Sequence, residues 1–355
     1  MEVNRSSMTL KDVARLAGVH PATASRALDP ARRDLVRVET RERVVRVAEE
    51  VGYRLNTLAQ GLRKNVTGMV GIVVADVANP FVPPLLRGVE EVLREQKTLS
   101  LIAETHEHSG NLKRILDQLI ARRADAIILC AAHESDYQTV MKAATAIPLV
   151  LAVRTVGGPW PFPAVTHDDF LGAQLATRHL VTLGHPRIAQ IQGPHDVSSF
   201  VRRSAGYSSV LSRSVARDVS IRDQARSPSV EEGQRLAALI LSQSTPDRPT
   251  AIFAHNDLMA LGALKAIAEK GLACPADVSL VGYNDQPLIE HISPPLTSVR
   301  LPSLELGQQA ATLALGLVKG GGNLNQVVQR ISPPKLVLRE STARPRAHLE
   351  SGSES

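Results

Sequence analysis

Groups able to do covalent chemistry are sparse in this sequence and poorly spaced for it. The two cysteines, Cys130 and Cys274, lie far apart and outside any CxxC or Cys/His ligand spacing, so neither a disulfide framework nor a zinc site is indicated. His106, Glu107 and His108 are adjacent behind an apolar run with no third ligand evident, and they read as polar loop residues rather than a metal centre. No Gly-x-x-x-x-Gly-Lys-Ser/Thr loop, Gly-x-Gly-x-x-Gly turn or Gly-x-Ser-x-Gly elbow follows any apolar run. The expectation is a protein that is not an enzyme and carries no cofactor or metal.

Charge points to a different chemistry. Residues 1–65 hold 13 Lys and Arg against 8 Asp and Glu, whereas the rest of the chain is nearly balanced at 28 against 27. Almost all of the formal +6 therefore sits in the first fifth, which becomes the candidate phosphate-facing surface. Met1 to Leu10 is polar, and no run approaches the roughly 18 apolar residues of a membrane span. A soluble, cytoplasmic protein in a reducing compartment is expected.

The elements that must carry these groups are of two kinds. From Met8 to Val51 the pattern is short helices with clear stops. Thr9 and Asp12 form a capping-box start, Leu10, Val13, Ala14, Leu16 and Ala17 give one apolar face, and Gly18 ends the first helix. Pro21 suits the first position of a second helix running to Leu28, so two helices meet across a tight turn. A third helix is expected over 39–51, stopped by Gly52. From Met69 onward, apolar runs alternate with amphipathic segments, the pattern of parallel sheets with helical crossovers. Strands are expected near 70–74, 99–103, 126–130, 148–153, 188–191, 251–254 and 278–281, enough for two sheets with a cleft between them. The polar tail 343–355 is expected to be disordered.

These segments, in this order, resemble the lactose-repressor (LacI/GalR) family of bacterial regulators from about Thr9 to Thr342. TLKDVARLAGVHPATASRAL resembles the family's helix-turn-helix and NTLAQGLR its hinge helix. VGIVVADVANPF, LATRHLVTLGHPRIAQIQGP, AIFAHNDLMALGALKAIAEKGLACPADVSLVGYND and LVLREST resemble successive parts of its core. The resemblance implies an all-α helix-turn-helix domain over 8–55 and a hinge over 56–65. It also implies an α/β periplasmic-binding-protein-like core of two Rossmann-like subdomains over 66–342. The chain would cross between subdomains near Pro163, Pro294 and Asn325, giving a first subdomain of about 66–163 with 295–325 and a second of about 164–294 with 326–342. The implied partners are palindromic operator DNA, met by a homodimer, and a small-molecule effector.

The resemblance also implies residue roles. The helix Pro21–Leu28 would enter the major groove with Arg26 suited to a bidentate guanine contact and Thr23 and Ser25 to phosphates. Pro21 and Ala22 would reach at most a thymine methyl. Thr9 and Asn56 complete the DNA-facing set, with Ala59 small enough for close backbone approach and Leu62 wedging into the minor groove. In the cleft, Arg203 would anchor effector hydroxyls or a carboxylate, Asn256 and Asn284 would add hydrogen bonds, and Phe81 an apolar wall. Val153 and Asn284 stand where sugar-binding relatives often carry aspartate. With Arg154 beside them, the cleft would tolerate an acidic metabolite as well as the sugar that is the family's commonest effector. A ligand-independent repressor of this fold is the alternative, and a small-molecule-binding protein without a regulatory role a more distant one.

Overall fold

The computed structural model describes residues 8–29, 32–53, 66–158, 162–244, 246–320 and 329–346, and the chain divides into two units, 1–67 and 68–355. In the first unit, α1 (Leu10–Leu16), α2 (Pro21–Leu28) and α3 (Val38–Glu50) are joined by the glycine turn and by a short 3-10 turn at Arg33–Leu35. Thr9 and Asp12 cap α1 reciprocally: Thr9 N–H donates to the Asp12 carboxylate at 3.0 Å, and the Asp12 N–H is aimed back at Thr9 Oγ1. Gly18 has a φ of +63° with open space where a side chain would go, so the left-handed turn rather than crowding selects glycine there. Val13, Ala14, Ala17, Ala24, Ala27, Val44 and Ala48 form the core of this unit. So many alanines let three short helices approach closely with little apolar bulk.

The second unit contains two six-stranded sheets. The first has the order β11-β5-β4-β3-β1-β2, all parallel, from β1 (Met69–Val74), β2 (Leu99–Glu104), β3 (Ala126–Leu129), β4 (Leu149–Ala152), β5 (Ala164–His167) and β11 (Gln329–Ser332). The second has the order β12-β10-β9-β8-β6-β7, from β6 (Arg187–Ile191), β7 (Arg217–Asp218), β8 (Ala251–Ala254), β9 (Ser279–Asn284), β10 (Thr297–Arg300) and β12 (Lys335–Val337), with β12 antiparallel to β10. The central strands are buried on both faces, as their unbroken apolar runs require. One face of the first sheet carries α4 (Val82–Glu95) and α11 (Ser303–Val318), and the other α5 (Ser109–Ala121) and α6 (Tyr137–Ala144). The second sheet lies between the pairs α7 (Asp169–Thr182) with α8 (Ser198–Leu211) and α9 (Val230–Leu241) with α10 (Asp257–Glu269).

The points of crossing differ from those expected. Residues 164–167 form β5 of the first sheet, so the first crossing follows His167 rather than Pro163. Residues 297–300 form β10 of the second sheet, so the return falls after Arg300 rather than at Pro294. The third crossing lies between Ser332 and Lys335 rather than near Asn325. Each of these strands is only three or four residues long, and its sheet is set by a partner distant in sequence. The tail also starts later than expected. Ala343 N–H donates to Ser279 Oγ at 3.0 Å and Arg346 lies 3.1 Å from Asp277, fastening residues 343–346 beside the start of β9; residues 347–355 lie outside the described residues.

Candidate functional site

The first unit presents α2 with its polar side outward. His20 caps the helix by accepting the Ala22 N–H at its Nδ1 (3.2 Å), which leaves Nε2 to carry the imidazole proton outward. Ala24 and Ala27 point into the core, while Ala22 and Arg26 are exposed and Pro21, Thr23 and Ser25 half-buried. The Arg26 guanidinium has no ion-pair or hydrogen-bond partner among the described residues. His20 was not anticipated from the sequence; its position directly before Pro21, where a cap must stand, was the available signal. Thr9 is exposed at the start of α1 but engaged with Asp12. Asn56, Ala59 and Leu62 lie outside the described residues.

In the second unit a cavity of about 320 Å³ opens between the two sheets at the C-terminal ends of their strands, where open α/β sheets bind ligands. Val74, Phe81, Val82, Leu85, Cys130 and Val153 make an apolar wall. Asp76, Asn79, Glu107 and Arg154 add polar groups from the first subdomain, and Ser227 and Ser229 from the second. Non-glycine residues stand at positive φ at or just beyond these strand ends, namely His106 (+53°), Glu107 (+56°), Val153 (+67°) and Asn284 (+109°). For a β-branched valine this is a costly conformation, and such strain concentrates at ligand sites.

Of the five expected cleft residues, the structure brings Phe81 and Arg154 to this cavity. Asn284 lines an adjoining hollow that shares Phe81, and its Oδ1 is buried without a hydrogen-bond partner. Asn256 lines neither hollow: its Oδ1 accepts the Met259 N–H to cap α10, and its Nδ2 donates to Pro228 O. Arg203 is also outside both. Its Nε donates to Asp169 at 2.8 Å, an Nη donates to His255 O, and its guanidinium lies 3.8 Å from the Tyr283 ring centre. Burial raises the Asp169 carboxyl despite this cation, and burial followed by the Arg203 charge pushes the neighbouring His167 down to about 3, so that ring is neutral.

The charged centre of the cleft is one that the sequence did not reveal. Arg154 donates from both terminal nitrogens to the two oxygens of Glu107, each at 2.7 Å. Burial alone would raise the Glu107 carboxyl, but Arg154 and His133 outweigh it and hold it well below the usual carboxylate range. His133, at the exit of β3, stands 3.2 Å from Glu107 through Nε2 and 2.8 Å from Asp196 through Nδ1. The sequence alone reads Glu107 as a polar loop residue; the signal that points to it is the need of a cleft arginine for a counter-charge. Among the described residues no His/Cys/Asp/Glu group could hold a metal, and no helix is long and apolar enough to cross a membrane.

A capped recognition-type helix on a basic unit, followed by a two-sheet core with a ligand-sized cleft, defines a DNA-binding regulator that senses a small molecule. Comparison with known proteins agrees. Residues 9–56 match the model of bacterial regulatory proteins of the lacI family, and residues 177–342 a periplasmic binding protein-like domain. The HTH-type transcriptional regulator GalR of Salmonella typhimurium (strain SL1344) is 31% identical over 342 residues, covering 95% of this chain and 96% of the relative. The ribose operon repressor of Haemophilus influenzae (strain ATCC 51907 / DSM 11121 / KW20 / Rd) is 31% identical, with 94% and 98% covered. A lac repressor dimer bound to operator and the anti-inducer ONPF superposes with a TM-score of 0.82 at 28% identity, covering 95% of this chain and all of that one. The chain belongs to the lacI family of bacterial regulatory proteins, and it is a DNA-binding transcription regulator whose hold on DNA is controlled by an effector.

Proposed function

We propose that this chain is a cytoplasmic homodimeric repressor, without catalytic activity, that reads a palindromic operator through Arg26 and responds to a neutral, hydroxyl-bearing metabolite with an apolar face. One observation carries the effector reading: Arg154, the cation on the cavity wall, already spends both terminal nitrogens on Glu107. Asp76 adds a second carboxylate to the lining. An acidic effector would have to displace Glu107 from a desolvated pair, whereas sugar hydroxyls can donate to these carboxylates and accept from the serines. Phe81 and the valines suit the apolar face of a sugar ring. Structures similar to this one include a CelR–cellobiose complex (TM-score 0.70, 31% identity, 94% of this chain and 99% of that one), which supports the same class. In this reading Arg203 and Asn256 support the cleft from behind rather than touch the effector, and Asn284 is offered at its edge.

The DNA reading is tested with the full-length protein, using the palindrome upstream of its own or neighbouring genes and a random duplex, at one salt concentration. Arg26→Ala should lose about 1–3 kcal/mol on the palindrome and much less on random DNA, because a bidentate guanine contact discriminates among bases. Equal losses on the two duplexes would remove Arg26 from base reading.

A further inference from the structure

The charged cluster at the cavity does more than line it. Glu107, His133 and Arg154 belong to the first subdomain, but Asp196 follows β6 of the second, so the His133–Asp196 contact crosses the cleft. Two backbone groups cross at the same place: Glu134 N–H donates to Asp196 O at 2.7 Å, and Thr155 N–H donates to Ser198 Oγ at 2.8 Å. His133 therefore has a carboxylate near each ring nitrogen: Nδ1 is hydrogen-bonded to Asp196, whereas Nε2 lies 3.2 Å from Glu107 without a well-aligned hydrogen bond, at ion-pair distance. A neutral imidazole carries one N–H and would turn a lone pair toward one of those carboxylates; only the protonated ring suits both. We propose that Glu107, His133 and Asp196 form a proton-dependent latch that holds the two subdomains together at the mouth of the cavity.

The groups that face His133 set the sign of this dependence. From the loop after β2 comes Glu107, from the segment after β4 Arg154, from the loop after β6 Asp196, and on its own segment Asp136 accepts the His133 backbone N–H at 2.9 Å. Glu107 makes the largest contribution and, with Asp196, outweighs burial and Arg154, so the His133 pKa lies above its ordinary 6.5. A raised folded-state value means the latch is fully formed below the ordinary histidine value and is lost as pH rises through the raised one. Resting on the reading of the cavity as the effector site, the latch makes effector-linked closure also proton-linked: Glu107 is shared between the cavity wall and the bridge.

The test needs no effector, so its failure would leave the effector reading untouched. Hydrogen exchange at the Glu134 and Thr155 amides is measured in the full-length protein at pH 6 and pH 8, corrected for the intrinsic rate. Wild-type protection should fall by about tenfold across that interval, within the one-proton limit of tenfold per pH unit. In Asp196→Asn protection should be low at both values, and in His133→Gln it should not change with pH. Flat wild-type protection, or an unchanged pH response in His133→Gln, would overturn the latch. Should either variant fold poorly, NMR titration of the wild-type His133 ring decides: the account requires its midpoint to lie above 6.5 and to coincide with the loss of amide protection, and a midpoint at or below 6.5 overturns it.

Discussion

Three arginines expected to do similar work, holding a partner outside the fold, are placed in three different ways. Arg26 is exposed with no side-chain partner among the described residues, Arg154 lines the cavity and is paired with Glu107, and Arg203 is buried and held by Asp169, His255 and Tyr283. The sequence offers the same residue type in each case. What separates them is a counter-charge 47 residues away for Arg154 and 34 away for Arg203, which no local pattern reports. The placement changes what a substitution should do. Arg203→Ala leaves the Asp169 carboxylate buried without its cation, a change that costs about 3–5 kcal/mol in comparable buried pairs. The expected outcome is a lowered urea midpoint for the second unit and a poorly folded core at 37 °C, rather than a stable protein deaf to its effector. Unfolding curves of the two proteins check this, and an unchanged midpoint would return Arg203 to the role of a dispensable ligand anchor.

At the scale of elements, long periodic segments were legible and short or shared ones were not. The helices over 82–95, 109–121, 169–182, 198–211, 230–241 and 257–269 fall on amphipathic segments between the expected strands, because each has an apolar face several turns long. β5, β10 and β11 fell on unexpected sides of the crossings because four residues of strand carry no mark of which sheet will pair with them. Close helix packing was equally hidden. α4 and α11 meet at Gly88 and Gly307, where an added Cβ would lie 2.0 Å from Leu304 O and 2.1 Å from Leu85 O respectively. Both neighbours are backbone, so the helices must separate to admit a methyl group. Gly88→Ala should therefore destabilise the first subdomain by about 1–3 kcal/mol or more, despite alanine's better helix propensity. A rise in melting temperature would show that the two helices are free to shift apart.

At the scale of the whole molecule, two units carry two kinds of chemistry. The basic, alanine-cored first unit exposes an arginine that has no side-chain partner among the described residues, and the second places a strained, mostly apolar cavity where two sheets meet. The family was legible in the sequence, because segments resembling its helix-turn-helix and its core occur in the right order along nearly the whole chain. The polarity of the cavity was not: the missing aspartates at Val153 and Asn284 suggest room for an acid, whereas Glu107 supplies a carboxylate from the loop after β2. Control of operator affinity requires an effector with different affinities for two states of the core, and DNA must then alter effector affinity by the same factor. The most direct measurement is operator affinity of the full-length dimer at one fixed salt concentration and pH 7, alone and with a panel of neutral sugars and their acid counterparts. At least one neutral sugar should shift the operator Kd by roughly 5–150-fold, the usual span of such coupling, while the matched acids leave it unchanged. An operator Kd moved only by the acids, or by no member of a panel that includes a sugar shown to bind the protein, would contradict the account.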